Sequence, residues 1–159
     1  MNTQEFKEKL SYRQLDGVLL DLYEDESLLD YQYQRYESAI DKFESLYGEG
    51  DFEIYTAAGR SEVGGNHTDH QHGRVLAAAI NLDAIGIVRK RDNIIKVLSD
   101  DYDIPEIDLN HLEKVDSEEG TSVALIKGVV AKLKDLGYKI GGFDAYITSD
   151  VLIGAGLSS

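Results

Sequence analysis

Residues 59 to 80 read Gly-Arg-Ser-Glu-Val-Gly-Gly-Asn-His-Thr-Asp-His-Gln-His-Gly-Arg-Val-Leu-Ala-Ala-Ala-Ile, a turn-rich stretch between two apolar runs. It gathers three of the four histidines of the chain, several glycines and an arginine that is charged at every ordinary pH. Within it, His67-x-Asp69-His70-x-His72 offers imidazoles and a carboxylate that could ligate a metal such as zinc, or could equally shape a hydrogen-bonded turn. A second candidate is Gly154-Ala155-Gly156-Leu157-Ser158-Ser159, which follows the apolar Val151-Leu152-Ile153. A strand ending in small residues and hydroxyls lets the backbone approach an anion, and a helix starting there would aim unpaired N–H groups at phosphate. The bland alternative is a glycine turn with serine capping. The stretch is not a P-loop, because the lysine is missing, and it lacks the third glycine of a dinucleotide fingerprint.

The remaining sequence must hold these two stretches in place. Residues 3 to 20 and 28 to 47 read as helices joined by a hinge at 21 to 27. In the second, Leu29, Tyr33, Tyr36, Ile40, Phe43 and Tyr47 recur at four- and three-residue spacing, and Gly48 follows as a stop. This stripe reads as an ordinary core face with phenol oxygens reaching the rim. Phe52 to Thr56 is a short strand that delivers the chain into the first candidate stretch. Runs 75 to 80, 83 to 89 and 94 to 99 read as strands, with Arg91-Asp92-Asn93 as a hairpin connection between the last two. The acidic segment 100 to 120, with the only proline, Pro105, predicts a surface excursion with an edge strand. A helix is expected from about Glu119 to Leu136, with Val123, Ile126, Val130 and Leu133 on one side and Gly137 as its cap; Phe143 to Thr148 is the last strand. Helices precede a largely β region with one crossover helix, which is an α+β arrangement.

Composition narrows the class. At 159 residues and 42% apolar composition the chain can bury a proper core. Sixteen basic against 30 acidic residues give a net charge of −14, which would repel nucleic-acid phosphates. There are no cysteines, hence no disulfides or thiolate metal sites, which suits a reducing compartment. No apolar run approaches the roughly 20 residues of a membrane helix, and the polar start Met-Asn-Thr-Gln-Glu is not a signal peptide. The expectation is a cytoplasmic protein with no nucleic-acid or membrane partner.

The first stretch resembles the galactokinase signature, G-R-V-N-L-I-G-E-H-T-D-Y followed by a glycine and V-L-P-x-A-I. The second resembles the phosphate loop of the same family, P-x-G-A-G-L-S-S-S-A, within the GHMP small-molecule kinases. The two occur in the family's order, and the resemblance covers residue 50 onward. It implies a GHMP-kinase N-terminal domain over 50–159, of the fold shared with the second domain of a small-subunit ribosomal protein. That fold is a mixed sheet with helices on one side, here preceded by a helical extension over 1–49. It further implies a sugar 1-kinase, most simply galactokinase, using ATP and magnesium.

By resemblance, Asn66, His67, Thr68 and Asp69 would contact the sugar, Gly154, Ala155, Gly156, Leu157, Ser158 and Ser159 would begin the nucleotide cradle, and Arg60 would stabilise the transferring phosphoryl group. His70 and His72 would then shape the loop. Three positions depart from the pattern: Asn66 replaces glutamate, His70 replaces tyrosine and Leu152 replaces proline. Asn66 exchanges a charge-assisted bond for a neutral one and opens the identity of the sugar, including an amino sugar or a uronic acid. The family's third serine, catalytic aspartate and third motif would lie beyond Ser159, so the expectation is an incomplete, inactive piece of a longer enzyme without the C-terminal domain. A non-catalytic, galactokinase-like sugar sensor is the alternative of another class.

Overall fold

The computed structural model describes residues 1–65 and 68–151; of Asp69 it describes the backbone. Three helices come first: α1 (Thr3–Ser11), α2 (Asp16–Tyr23) and, after a 3-10 turn at Glu26–Leu28, the long α3 (Leu29–Tyr47). Asn2 starts α1 with a reciprocal capping box: its side chain accepts from Glu5 N at 2.8 Å, and the Glu5 carboxylate accepts from Asn2 N at 3.2 Å. The single helix expected over 3 to 20 is divided. Tyr12 caps α1, and Arg13 takes a positive φ of 51°. The break has a tertiary cause. Leu15 N donates to Tyr33 Oη at 2.9 Å, while the Arg13 guanidinium stacks 4.6 Å from the Tyr33 ring and pairs with Asp30 at 2.5 Å. The α3 stripe is buried as its spacing predicts, with Tyr33, Tyr36, Ile40 and Phe43 in the core. Its phenol oxygens turn inward rather than to the rim: Tyr36 Oη meets Tyr23 Oη at 3.1 Å, and Tyr47 Oη donates to Ala145 O at 3.1 Å.

The sheet has five strands: β1 (Glu53–Gly64), β2 (Leu76–Arg91), β3 (Ile94–Ser99), β4 (Tyr102–Asp108) and β5 (Gly142–Ser149), in the spatial order β1-β2-β5-β3-β4. Only the β3–β5 pair is parallel, so the sheet is mixed. The runs 75–80 and 83–89 belong to one strand, β2. The segment 91–93 is not a hairpin, because β5 inserts between β2 and β3 and its first residue donates from Gly142 N to Asp92 O at 2.8 Å. β4 is the edge strand expected in the acidic excursion, and it tolerates Pro105 there.

Side-chain alternation divides the sheet into two faces. Ile85, Ile87 and Tyr146 pack under α1–α3 with Phe6, Leu10, Leu19, Tyr23, Phe43 and Phe52. Phe52 joins this core through Phe6, edge-to-face at 5.6 Å, and Phe43 at 6.3 Å. On the opposite face Ile95, Val97, Ile104, Ile107 and Ala145 meet Val123, Ile126 and Val130 of α4 (Ser122–Asp135). Thr121 caps α4, accepting from Ala124 N at 3.3 Å, and Gly137 ends it with a φ of 84°. Leu133 does not join the packed side; it is exposed together with Leu125, Val129 and Leu136. The architecture is α+β, with α4 on one side of the mixed sheet and the leading helices covering the other.

Candidate functional site

The first candidate stretch is carried on a two-stranded ribbon rather than a loop alone. β5 pairs with β2 only over Ala84–Arg91, so the outer parts of β1 and β2, Arg60–Gly64 against Leu76–Ala79, continue beyond the sheet as a pair. The departure point is irregular. Ala58 pairs with Asp83 but Arg60 pairs with Ala79, so residues 80–82 of β2 face the single residue Gly59. A Cβ on Gly59 would lie 2.8 Å from Val151 Cγ2, 3.1 Å from Ile80 Cδ1 and 3.1 Å from Leu82 O. Only glycine admits Val151 there. Val151 is itself buried and follows the end of β5 by two residues.

That contact brings the start of the first candidate stretch against the chain just beyond β5. Gly59 immediately precedes Arg60, and Val151 lies three residues before Gly154, so segments some ninety positions apart converge where the ribbon leaves the sheet. Arg60 sits on β1 with an exposed side chain. At the ribbon's far end Thr68 is half-buried. It donates from Oγ1 to Gly65 O at 2.9 Å, and its carbonyl accepts from Gln71 N at 3.0 Å and Gly73 N at 2.8 Å. Asp69 opens a 3-10 turn, Asp69–Gln71, and His72 closes it in the left-handed region at a φ of 61°. A Cβ on Gly73 would overlap the Thr68 side chain, so this glycine is required for the turn to close. Asn66, His67 and Gly154, Ala155, Gly156, Leu157, Ser158 and Ser159 lie outside the described residues, as does the Asp69 side chain. Among the described residues no group of three or more His, Asp or Glu is placed to hold a metal ion.

The structure adds a group that sequence reasoning missed. Arg35, on α3, donates from Nη1 to Asp83 Oδ1 at 2.6 Å and from Nη2 to Asp83 O at 2.9 Å; Nη1 also lies 3.3 Å from Asp150 Oδ2. The side chains of Arg35 and Asp83 are 6% and 5% exposed. Tyr23 Oη donates to Asp83 Oδ2 at 3.0 Å, Thr56 Oγ1 donates to the same oxygen, and Tyr31 Oη donates to Asp150 Oδ1 at 2.8 Å. Burial, followed by the Tyr36 hydroxyl, pushes the Tyr23 phenol well above the ordinary tyrosine value. Burial would lower the Arg35 guanidinium, but its hydrogen bond and charge contact with Asp83 outweigh this and raise it. The available signals were an acid inside an apolar strand, Leu82-Asp83-Ala84-Ile85, and an arginine three residues from a glutamine on a helix that also buries both, Gln32 and Arg35.

Sequence and structure comparisons agree with this geometry. Residues 41–90 match the galactokinase galactose-binding signature. The chain is 35% identical over 120 residues to a galactokinase of Clostridium tetani, covering 74% of this chain and 30% of that protein. It is 32% identical over 120 residues to one of Streptomyces coelicolor, at 75% and 31%. The chain thus spans about a third of the length of these relatives. Among solved structures, the Lactococcus lactis galactokinase complexed with galactose superposes with a TM-score of 0.64 at 33% identity, over 75% of this chain and 32% of that one. Methanococcus jannaschii mevalonate kinase superposes at 0.52 and 20% identity, over 68% and 35%, a likeness of fold alone. With the signature on the β1–β2 ribbon and its flank seated against the exit of β5, the chain belongs to the galactokinase family.

Proposed function

We propose that the protein to which this chain belongs is an ATP-dependent sugar 1-kinase, galactokinase in its simplest form, working in a cytoplasmic setting. The observation that carries this reading is the seating of Val151 against Gly59, which brings the exit toward the glycine-rich stretch beside Arg60. In the reaction the anomeric hydroxyl oxygen forms a bond to the γ-phosphorus of ATP as the bond to the ADP oxygen breaks. The hydroxyl proton would pass to an aspartate acting as base. Such a transfer asks mainly for positioning and charge compensation.

Thr68 and Asp69, with Asn66 and His67, would read sugar hydroxyls, since a carboxylate accepts two hydroxyls and an imidazole can donate or accept. Gly154 to Ser159 would cradle the phosphates, and magnesium would be held by those phosphates. Arg60 would favour the ionised aspartate and offset charge on the phosphoryl oxygens. Residues 50–159 would belong to the N-terminal kinase domain and 1–49 would form its extension.

Sugar-dependent ADP release by the longer protein tests the reading, and a panel of galactose, amino sugars and uronic acids identifies the acceptor. Binding of sugar and nucleotide without turnover would establish the sensor instead. Asn66 in place of the family's glutamate is the observation that favours an acceptor other than galactose. Arg60→Ala should lower turnover by about 100-fold or more while leaving the KM for sugar within about threefold; unchanged turnover removes Arg60 from the mechanism.

A further inference from the structure

We infer that Arg35 and Tyr31 of α3 are positioning residues for the nucleotide, acting through Asp150; this rests on the kinase reading above. Neither residue lies within the signature match, which begins at residue 41. The sheet ladder gives out at this point. The final β2–β5 pair is Ala84 with Ser149, and beyond it the backbone is held by Asp150 N donating to Asp83 O at 3.0 Å and Val151 N donating to Ser149 Oγ at 3.1 Å. A strand end fastened so lightly could leave the sheet in several directions.

Asp150 removes that freedom. Its two carboxylate oxygens are engaged separately, Oδ1 by Tyr31 Oη at 2.8 Å and Oδ2 by Arg35 Nη1 at 3.3 Å. The same guanidinium binds the Asp83 carbonyl that accepts from Asp150 N, so side chain and backbone of Asp150 are tied to one buried arginine. Burial, then the bond to Asp150, pushes the Tyr31 phenol up, and it remains a hydroxyl donor across ordinary pH. The leading helices thereby hold Asp150, four residues before Gly154 in the sequence. Small misplacements of a phosphate-holding segment are costly to catalysis, because reacting atoms must be held in near-attack geometry.

The test uses the full-length enzyme and two variants that spare the core. Tyr31→Phe deletes one hydroxyl from a half-exposed ring, and Asp150→Asn keeps the shape while removing the charge. Each should raise the KM for MgATP about 3- to 10-fold and leave the KM for sugar within about twofold, and Tyr31→Phe should leave Tm within about 2 °C. The double variant should be worse than either single one, because Tyr31→Phe removes the bond to Oδ1 and Asp150→Asn weakens the pair at Oδ2. An unchanged KM for MgATP in both variants, or an equal rise in the KM for sugar, overturns the inference while the kinase reading stands. A wild-type enzyme that releases no ADP with any sugar overturns both.

Discussion

Two ion clusters lie under α3 on the same face of the sheet, at either end of the part of β2 that runs beside β5. Along β2, Asp83, Ile85, Ile87 and Arg89 alternate inward, so an apolar centre is flanked by a charge at each end. At the Asp83 end, one guanidinium serves two carboxylates, and tyrosine and threonine hydroxyls complete the set. At the Arg89 end the ratio is reversed: Asp144 receives Arg89 Nη2 at 3.3 Å and Arg91 Nη1 at 2.8 Å. Arg89 also donates to Tyr47 O at 2.5 Å, where it meets the C-terminal carbonyls of α3 and their negative dipole end. One cluster fastens the strand exit that leads toward the candidate nucleotide segment; the other finishes a helix. Similar residues on one surface serve chemistry or architecture according to which chain end they tie down.

The comparison breaks or sharpens under three measurements. The largest effect is expected from Asp83→Ala, which leaves Arg35 and two hydroxyl donors without their buried acceptor and should cost about 3–5 kcal/mol in denaturant unfolding. A loss below about 1 kcal/mol would mean that water or Asp150 takes over the arginine. Asp144→Ala should cost less, about 1–3 kcal/mol, because Arg89 and Arg91 are partly solvated and can turn outward. Its KM for MgATP should stay at the wild-type value, and a rise matching that of Asp150→Asn would erase the distinction between the two ends.

The smallest effect is an alkaline one. The Tyr23 and Tyr36 phenols are raised above the ordinary value near 10, each chiefly by burial, so the folded state keeps protons that the unfolded chain releases. Their contribution to stability is complete below about pH 10 and is lost as pH rises beyond it. Tyr23→Phe should flatten that decline in thermal unfolding scans between about pH 9.5 and 11, whereas Asp144→Ala should leave its slope as in wild type.

Much of the frame was legible because it depends on local pattern. The α3 stripe, the short strand 94–99, the helix ending at Gly137 and the order of the two glycine-rich stretches all declare themselves within a few residues of sequence. What stayed hidden depends on partners far away in sequence. Residues 81–82 read as a break between two strands, yet β2 runs through them, and Asp83 beside them is neutralised by Arg35, 48 positions earlier. The supposed hairpin at 91–93 failed for a similar reason, since β5 arrives some fifty residues later to part its arms. Helix 3–20 breaks because Tyr33 takes the amide of Leu15. The site divides the same way: the motifs were visible residue by residue, while the clamp on Asp150 spans 119 positions from Tyr31.

The ribbon that bears Thr68 and Asp69 works as a lever whose fulcrum is Gly59. From there to Gly64 it extends about 16 Å at the usual rise of a strand, so a tilt of about 5° at its root sweeps the tip by about 1.4 Å. Packing of a single valine methyl at the base is therefore magnified into displacement of the whole distal turn. A change of shape at Gly59 thus reaches, from a distance, the groups that would touch a sugar.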